Sequence, residues 1–216
     1  MTKNRLEAFS DGVIAILITI MVLRFTVPHG DQLGALWQLR FVFVSYVLSF
    51  VYLAIYWNNH HHMLSVTGRV TGGVLWANMH LLFWLSLVPF ATSWMGEHSV
   101  DHVPTAVYGV VLLMAAIAYF ILQRTIIRSQ GEKSLLAEAV GRDLKGKASP
   151  ILYAIAIAMA FVQPWVAYGI YVLVALMWII PDRRIEDAVV EREAAGEVHD
   201  PVGEARETAL AAQDEG

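Results

Sequence analysis

An acid stands at the mouth of a hydrophobic run: Arg5, Phe9, Ser10 and Asp11 lead directly into the almost unbroken aliphatic stretch from Gly12 to Leu23. A carboxyl inside a segment that enters lipid costs roughly 2.5–3.5 kcal/mol on insertion scales. Such a residue calls for a role. If Asp11 only capped a helix, that helix would run from Gly12 to Thr26 and span about 22 Å, against a hydrocarbon core of about 30 Å. Starting it near Leu6 restores the length and places Ser10 and Asp11 within the first turns, where the acid needs a protein partner. The plainer alternative is an interfacial cap whose carboxylate snorkels to the headgroups.

The rest of the chain has the composition of a membrane protein. Hydrophobic residues make up 57% and charged residues 16%, with a mean hydropathy of +0.53, a balance foreign to soluble domains. There is no cysteine, which excludes disulfides and thiolate metal sites. The polar Ser10-Asp11-Gly12 step interrupts what would be the apolar core of a secretory signal, so the first segment is expected to be retained.

The fold expected is all-α, with six transmembrane helices at roughly Leu6 to Thr26, Leu36 to Trp57, Gly73 to Trp94, Thr105 to Ile127, Pro150 to Gln163 and Trp165 to Ile180. The last two are short and meet at Gln163-Pro164-Trp165, either a tight turn or a kink in one longer element. About thirty residues exceed one ordinary span, which favours two helices.

The net charge of −4 conceals a local pattern. Lys3, Arg5, Arg69, Arg124, Arg128, Lys133, Arg142, Lys145, Lys147, Arg183 and Arg184 fall on alternate connections, whereas the opposite set has few basic residues beyond Arg24 and Arg40. Basic residues collect on the cytoplasmic side, so both termini are expected there. The segment from Glu132 to Lys147 spaces Leu135, Leu136, Ala139, Val140 and Leu144 as a helix lying on the inner surface would. Residues 1–181 thus form the transmembrane domain, and 182–216 a charged cytoplasmic tail, largely disordered by composition.

Within the first span, Val13, Ile16, Ile20, Leu23 and Val27 share one stripe, with Thr19 beside it. In a lipid-soluble helix that stripe describes packing or lipid contact as readily as anything else. A resemblance changes its meaning. The pattern Arg5-x3-Phe9-Ser10-Asp11-Gly12-Val13, with Thr19 eight positions beyond the acid, closely resembles the first-helix signature of the transmembrane protein 175 family. Tyr56-Trp57-Asn58-Asn59-His60-His61 and the segment from Asn78 through Leu81 to Phe90 match further motifs of that family in order.

Members of the family are potassium channels, lysosomal in animals. The resemblance implies that the first helix lines a pore, and that a chain with one six-helix unit assembles as a homotetramer around it. It also places the constriction at Ile16, with Ile20 and Leu23 as further layers of a hydrophobic gate. Arg5, Ser10 and Asp11 are implied to join polar groups of the second and third spans, with Trp57, His60 and Asn78 as partners. The chain lacks the Thr-Val-Gly-Tyr-Gly loop whose carbonyls strip potassium of its water in other channels. Backbone carbonyls of a helix in lipid are already paired. Thr19, the only hydroxyl between Gly12 and Leu23, is therefore the candidate ion-coordinating group, and selectivity over sodium should be modest.

Other signals carry less. His60, His61 and His62 point about 100° apart on a helix and cannot converge on one metal. His80 lies within a span, where a neutral imidazole bonded to a neighbouring helix is the simpler account. His98 and His102 belong to an outer loop with Glu97 and Asp101 and read as pH-sensing or merely solvated. No catalytic constellation, metal site or phosphate loop is present in the sequence, so no enzymatic role and no cofactor beyond permeant potassium are expected. Membrane topology accounts for the basic residues without nucleic acid. The function expected is a weakly selective potassium channel of a prokaryotic cell membrane. The alternative is a proton-coupled ion carrier using Asp11 with His80 or His60, and a structural membrane subunit is a third reading.

Overall fold

The computed structural model describes residues 2–28, 33–98, 101–131, 136–137 and 144–179. Most of the described residues are helical: α1 is Lys3–Val22, α2 Leu33–Trp37, α3 Arg40–Ser65, α4 Gly72–Ser86, α5 Val88–Glu97, α6 His102–Gln130, α7 Leu144–Val162 and α8 Pro164–Ile179. Four stretches are long and apolar enough to cross a membrane: Arg40–Ser65, Gly72–Glu97, His102–Gln130 and Lys145–Val162. The tail 182–216 and most of the segment from Glu132 to Arg142 lie outside the described residues, although Leu136 and Ala137 are helical.

Long helices packed side by side must bury their backbone polar groups within themselves and their polar side chains against one another. The contacts that do so set the direction of each helix. Lys3 Nζ donates to the Ser65 carbonyl at 2.7 Å, which joins the start of α1 to the end of α3. The Tyr119 hydroxyl reaches the Asn59 carbonyl at 3.3 Å, while Ser49 Oγ lies 2.9 Å from the Tyr108 hydroxyl oxygen, so α3 and α6 run the same way. Trp178 Nε1 donates to Ser149 Oγ at 2.8 Å, making α7 and α8 an antiparallel hairpin. Directions therefore alternate along the chain, with α4 and α5 acting as one element. Basic Lys3, Arg5, Arg69, Arg124, Arg128, Lys145 and Lys147 gather at one end of the bundle. At the other end Arg40 donates to the Trp37 carbonyl at 3.0 Å and stacks over the Trp37 and Phe41 rings.

Prolines mark two of the joints, and a third lies within a helix. Pro89 has no N–H for the carbonyl four residues back, and the chain tightens at Leu87, whose N–H bonds to Trp84 O at 3.2 Å. Gly72–Glu97 is thus one apolar element with a joint. Pro150 was placed by its sequence at the start of a short fifth span, yet α7 begins upstream at Leu144 and keeps Pro150 inside. The proline falls opposite Gly146, and Ser149 Oγ bonds to Lys145 O at 2.8 Å, which holds the loosened turn together. Pro164 likewise cannot donate to Ala160 O. That carbonyl instead accepts from His102 Nδ1 at 2.8 Å, so His102 links the start of α6 to the end of α7 rather than lying in a free loop.

Packing at the centre is close enough to require glycine. A Cβ at Gly109 would strike the Tyr171 hydroxyl and approach Ile157 Cγ1 at 2.9 Å. Tyr171 cannot simply turn away, because its hydroxyl donates to Thr105 O at 3.1 Å while its own carbonyl accepts from the Tyr52 hydroxyl at 2.6 Å. Gly109→Ala should destabilise the protein by about 2 kcal/mol through overpacking, seen as a lower melting temperature in detergent. Adding Tyr171→Phe should restore part of that loss, because the most severe clash is with the hydroxyl.

Candidate functional site

α1 is expected from Leu6 to Thr26 but is shifted one turn toward the N-terminus, ending at Val22 with Leu23 as its C-cap. Its 20 residues span about 30 Å, and both bounds move from those expected. Val27 falls beyond the helix and Val13 is half-buried, which removes both from the stripe proposed for them.

One face of α1 carries Leu6, Ser10, Ile14, Leu17 and Met21, all buried, against α3, α4 and α5. The spacing of three and four residues keeps them on one side. On the far side lie Arg5, Phe9, Gly12, Ile16, Thr19, Ile20 and Leu23, all exposed in the single chain, with Ile16 at 56% and Leu23 at 78% of full exposure. Thr19 Oγ1 sits 2.9 Å from Ile16 O and 3.1 Å from Ala15 O. Its proton is committed to the helix backbone, and its lone pairs are left to accept from outside.

The buried face is held by a directed chain of hydrogen bonds. His60 Nε2 lies 2.7 Å from Asn78 Oδ1; a carbonyl oxygen can only accept, so the imidazole donates and the Nε2–H tautomer is fixed. Asn78 Nδ2 donates to Ser10 Oγ at 2.9 Å, and Ser10 Oγ donates to Leu6 O at 2.8 Å. All three side chains are fully buried. The chain joins α3, α4 and α1 at one point, and only His60 Nδ1 is left without a partner among the described residues.

A second set of contacts zips α1 to α3 along their antiparallel seam. Trp57 Nε1 donates to Asp11 Oδ1 at 3.0 Å. One turn earlier on α1, Glu7 Oε1 pairs with His61 Nδ1 at 2.9 Å, and Trp57 stacks on the His61 ring. A further turn earlier comes the Lys3 contact to Ser65 O. Each step of four along α1 is matched by a step of four back along α3. The pairs of Glu7 and His61 and of Lys3 and Ser65 were not singled out from sequence, although Glu7 stands four before Asp11 and His61 four after Trp57, a spacing that places each pair on one helix face. Arg5 hydrogen-bonds to none of the described residues and stands apart from this seam.

His80 Nε2 accepts from Trp84 Nε1 on its own helix at 3.0 Å, which ties up the imidazole one turn away rather than across helices. His98 Nδ1 lies 3.0 Å from Trp94 O. No group of metal-ligating side chains occurs among the described residues.

The same regions carry the similarity to known proteins. A family model described as endosomal/lysosomal potassium channel TMEM175 matches residues 5–89, the span that contains α1, α3 and α4. A potassium channel of Chryseobacterium sp. (strain P1-3) is 52% identical over 191 residues, 88% of this chain and 100% of that one. The crystal structure of a lysosomal potassium-selective channel TMEM175 homolog from Chamaesiphon minutus superimposes with a TM-score of 0.74 at 28% identity, covering 83% of this chain and 97% of that one. The endosomal/lysosomal proton channel TMEM175 of Gallus gallus is 29% identical over 148 residues, 61% of this chain and 30% of its own length.

The long apolar helices and these relatives define a multi-pass membrane protein of the ion-channel class, not an enzyme. Within that class, the chain belongs to the TMEM175 family.

Breaking the buried chain at its middle should cost the most. Asn78→Leu leaves Ser10 and His60 without their partner and should destabilise the protein by about 3 kcal/mol, whereas Ser10→Ala should cost about 1 kcal/mol. Thermal unfolding of the purified variants in one detergent checks the order.

Proposed function

We propose that this protein is a potassium channel, weakly selective over sodium, in which four chains place α1 around a common axis. In this arrangement six elements of each chain cross the bilayer, α1, α3, the α4 and α5 pair, α6, α7 and α8, with both termini cytoplasmic beside the basic end of the bundle. The membrane is the cytoplasmic membrane of a prokaryote. What supports this most directly is the division of α1 into a pinned, buried face and an open face bearing Ile16, Thr19, Ile20 and Leu23. The names of the bacterial relatives, potassium channel and potassium-selective channel, agree with it.

Rings of Ile16, Ile20 and Leu23 close the path by dewetting, and Thr19 hydroxyl oxygens replace part of the ion's water at the Ile16 ring. Because the Thr19 proton is bonded to the backbone, the oxygen meets the cation with its lone pairs. A few hydroxyls compensate desolvation less completely than stacked carbonyl rings, so sodium is disfavoured and not excluded. Ser10, Asn78 and His60, with Asp11 and Trp57, hold α1 in register behind that surface. Arg5, on the open face inward of Gly12, lies at the entrance rather than in the network.

A second reading, proton permeation, is favoured by the vertebrate relatives' name, proton channel, and by the open Nδ1 of His60. One experiment separates them. Purified protein in potassium-loaded liposomes should collapse the gradient electrically, with sodium passing more slowly and no fixed proton stoichiometry. Ile16→Asn should raise potassium flux several-fold and narrow the potassium to sodium preference by wetting the constriction. Unchanged flux and unchanged preference would remove Ile16 from the gate, and a mass other than that of four chains for the purified complex would overturn the shared axis.

A further inference from the structure

Pores that pass cations carry rings of acids, and rings of arginine or lysine belong to pores for anions. The outer end of α1 has the sign that does not suit a cation. Arg24 follows Leu23, the outermost residue of the open face, and is itself exposed. An arginine keeps its charge at any working pH.

Its backbone is held from both sides. The N–H groups of Leu23, Arg24 and Phe25 donate to Ile20 O, Met21 O and Val22 O at 3.1, 3.3 and 3.1 Å, three-residue steps that tighten the end of α1. Immediately beyond, the Phe25 ring packs edge-on against Tyr46 and Phe43 of α3, with centroids 5.2 and 6.3 Å apart. Arg24 is thereby fixed to the rod that carries Ile16 and Ile20. Its side chain is left over. Arg40, the other arginine of this end, donates to Trp37 O and lies over two aromatic rings, whereas Arg24 has no hydrogen-bond, ion-pair or ring partner among the described residues.

We propose that Arg24 limits the rate at which potassium crosses the outer mouth, an inference that rests on the four-chain channel reading. Four copies of α1 around one axis bring four guanidinium charges to the rim beyond Leu23, and these thin the cations waiting there. The side chain need not point at the axis to act. Exposed charges reach over a Debye length, about 30 Å at about 10 mM salt, about 10 Å at 0.1 M and about 3 Å at 1 M. Four unit charges in water, each about 10 Å from the axis, lower the local potassium concentration about sevenfold at 10 mM salt, about threefold at 0.1 M and hardly at all at 1 M. Arg24 is thus a brake that salt releases.

Single-channel recording of the full-length protein in planar bilayers of uncharged lipid tests the brake without a surface potential from the membrane. At about 10 mM potassium chloride Arg24→Gln should raise the conductance about sevenfold and Arg24→Glu further still, and at about 1 M the three proteins should conduct alike. That convergence also shows that the variants fold and assemble. The wild type decides even if a variant does not: between about 10 mM and 0.1 M its conductance should climb faster than the salt concentration, by about a further threefold. Equal conductance of all three at 10 mM, the reverse order of the variants, or a wild-type conductance that only keeps pace with salt would overturn the brake and leave the channel reading standing. A wild type that passes no potassium at 1 M would overturn both.

Discussion

Everything distinctive about this bundle follows from tying one helix down by a single face. Ser10 is the only hydroxyl on the buried side of α1, and it is the terminus of a one-way relay of donors that begins at His60 and passes through Asn78. In a bilayer, apolar helices gain little by choosing one neighbour over another, since lipid tails are as apolar as leucine. Orientation has to come from hydrogen bonds that only one rotation satisfies. With α1 so fixed, its opposite face is equally fixed, and the aliphatic and hydroxyl groups there are presented as a surface instead of being absorbed into the core.

The same economy explains why polar residues are scattered through otherwise greasy helices. Ser49, Thr92 and Tyr108 meet in one buried cluster, with Ser49 Oγ 2.6 Å from Thr92 Oγ1 and 2.9 Å from the Tyr108 hydroxyl oxygen. Tyr52 and Tyr171 close further bonds on backbone carbonyls. His102 supplies the N–H that Pro164 withholds. Each of these side chains sits where the backbone or another helix has an unmet group, and the helices acquire a unique arrangement from such points while their aliphatic surfaces fill the space between.

Much of this is legible in the sequence, and the exceptions have physical causes. Hydropathy located the apolar elements because the bilayer imposes a minimum length. The carboxyl of Asp11 announced α1 because its cost demands an answer. Boundaries were less legible. Val22 ends α1 although aliphatic residues continue, since apolar character alone carries no stop signal, and Pro150 lies inside α7 because Gly146 and Ser149 accommodate it. The Glu7 and His61 pair lay within reach of sequence reasoning, since the same four-residue offset on both strands of the seam predicts it once the helices are known to be antiparallel.

That offset also restricts how the first helix can move. Slid by one turn toward the end of α1 that bears Leu23, Asp11 would face Leu53 and lose the indole that now donates to it. Slid the other way, Trp57 would face Ala15 with its N–H bare. Only one register of this ladder fits, so a piston stroke of α1 along its axis is disfavoured, and what freedom the rod has against α3 is confined to tilting or rolling.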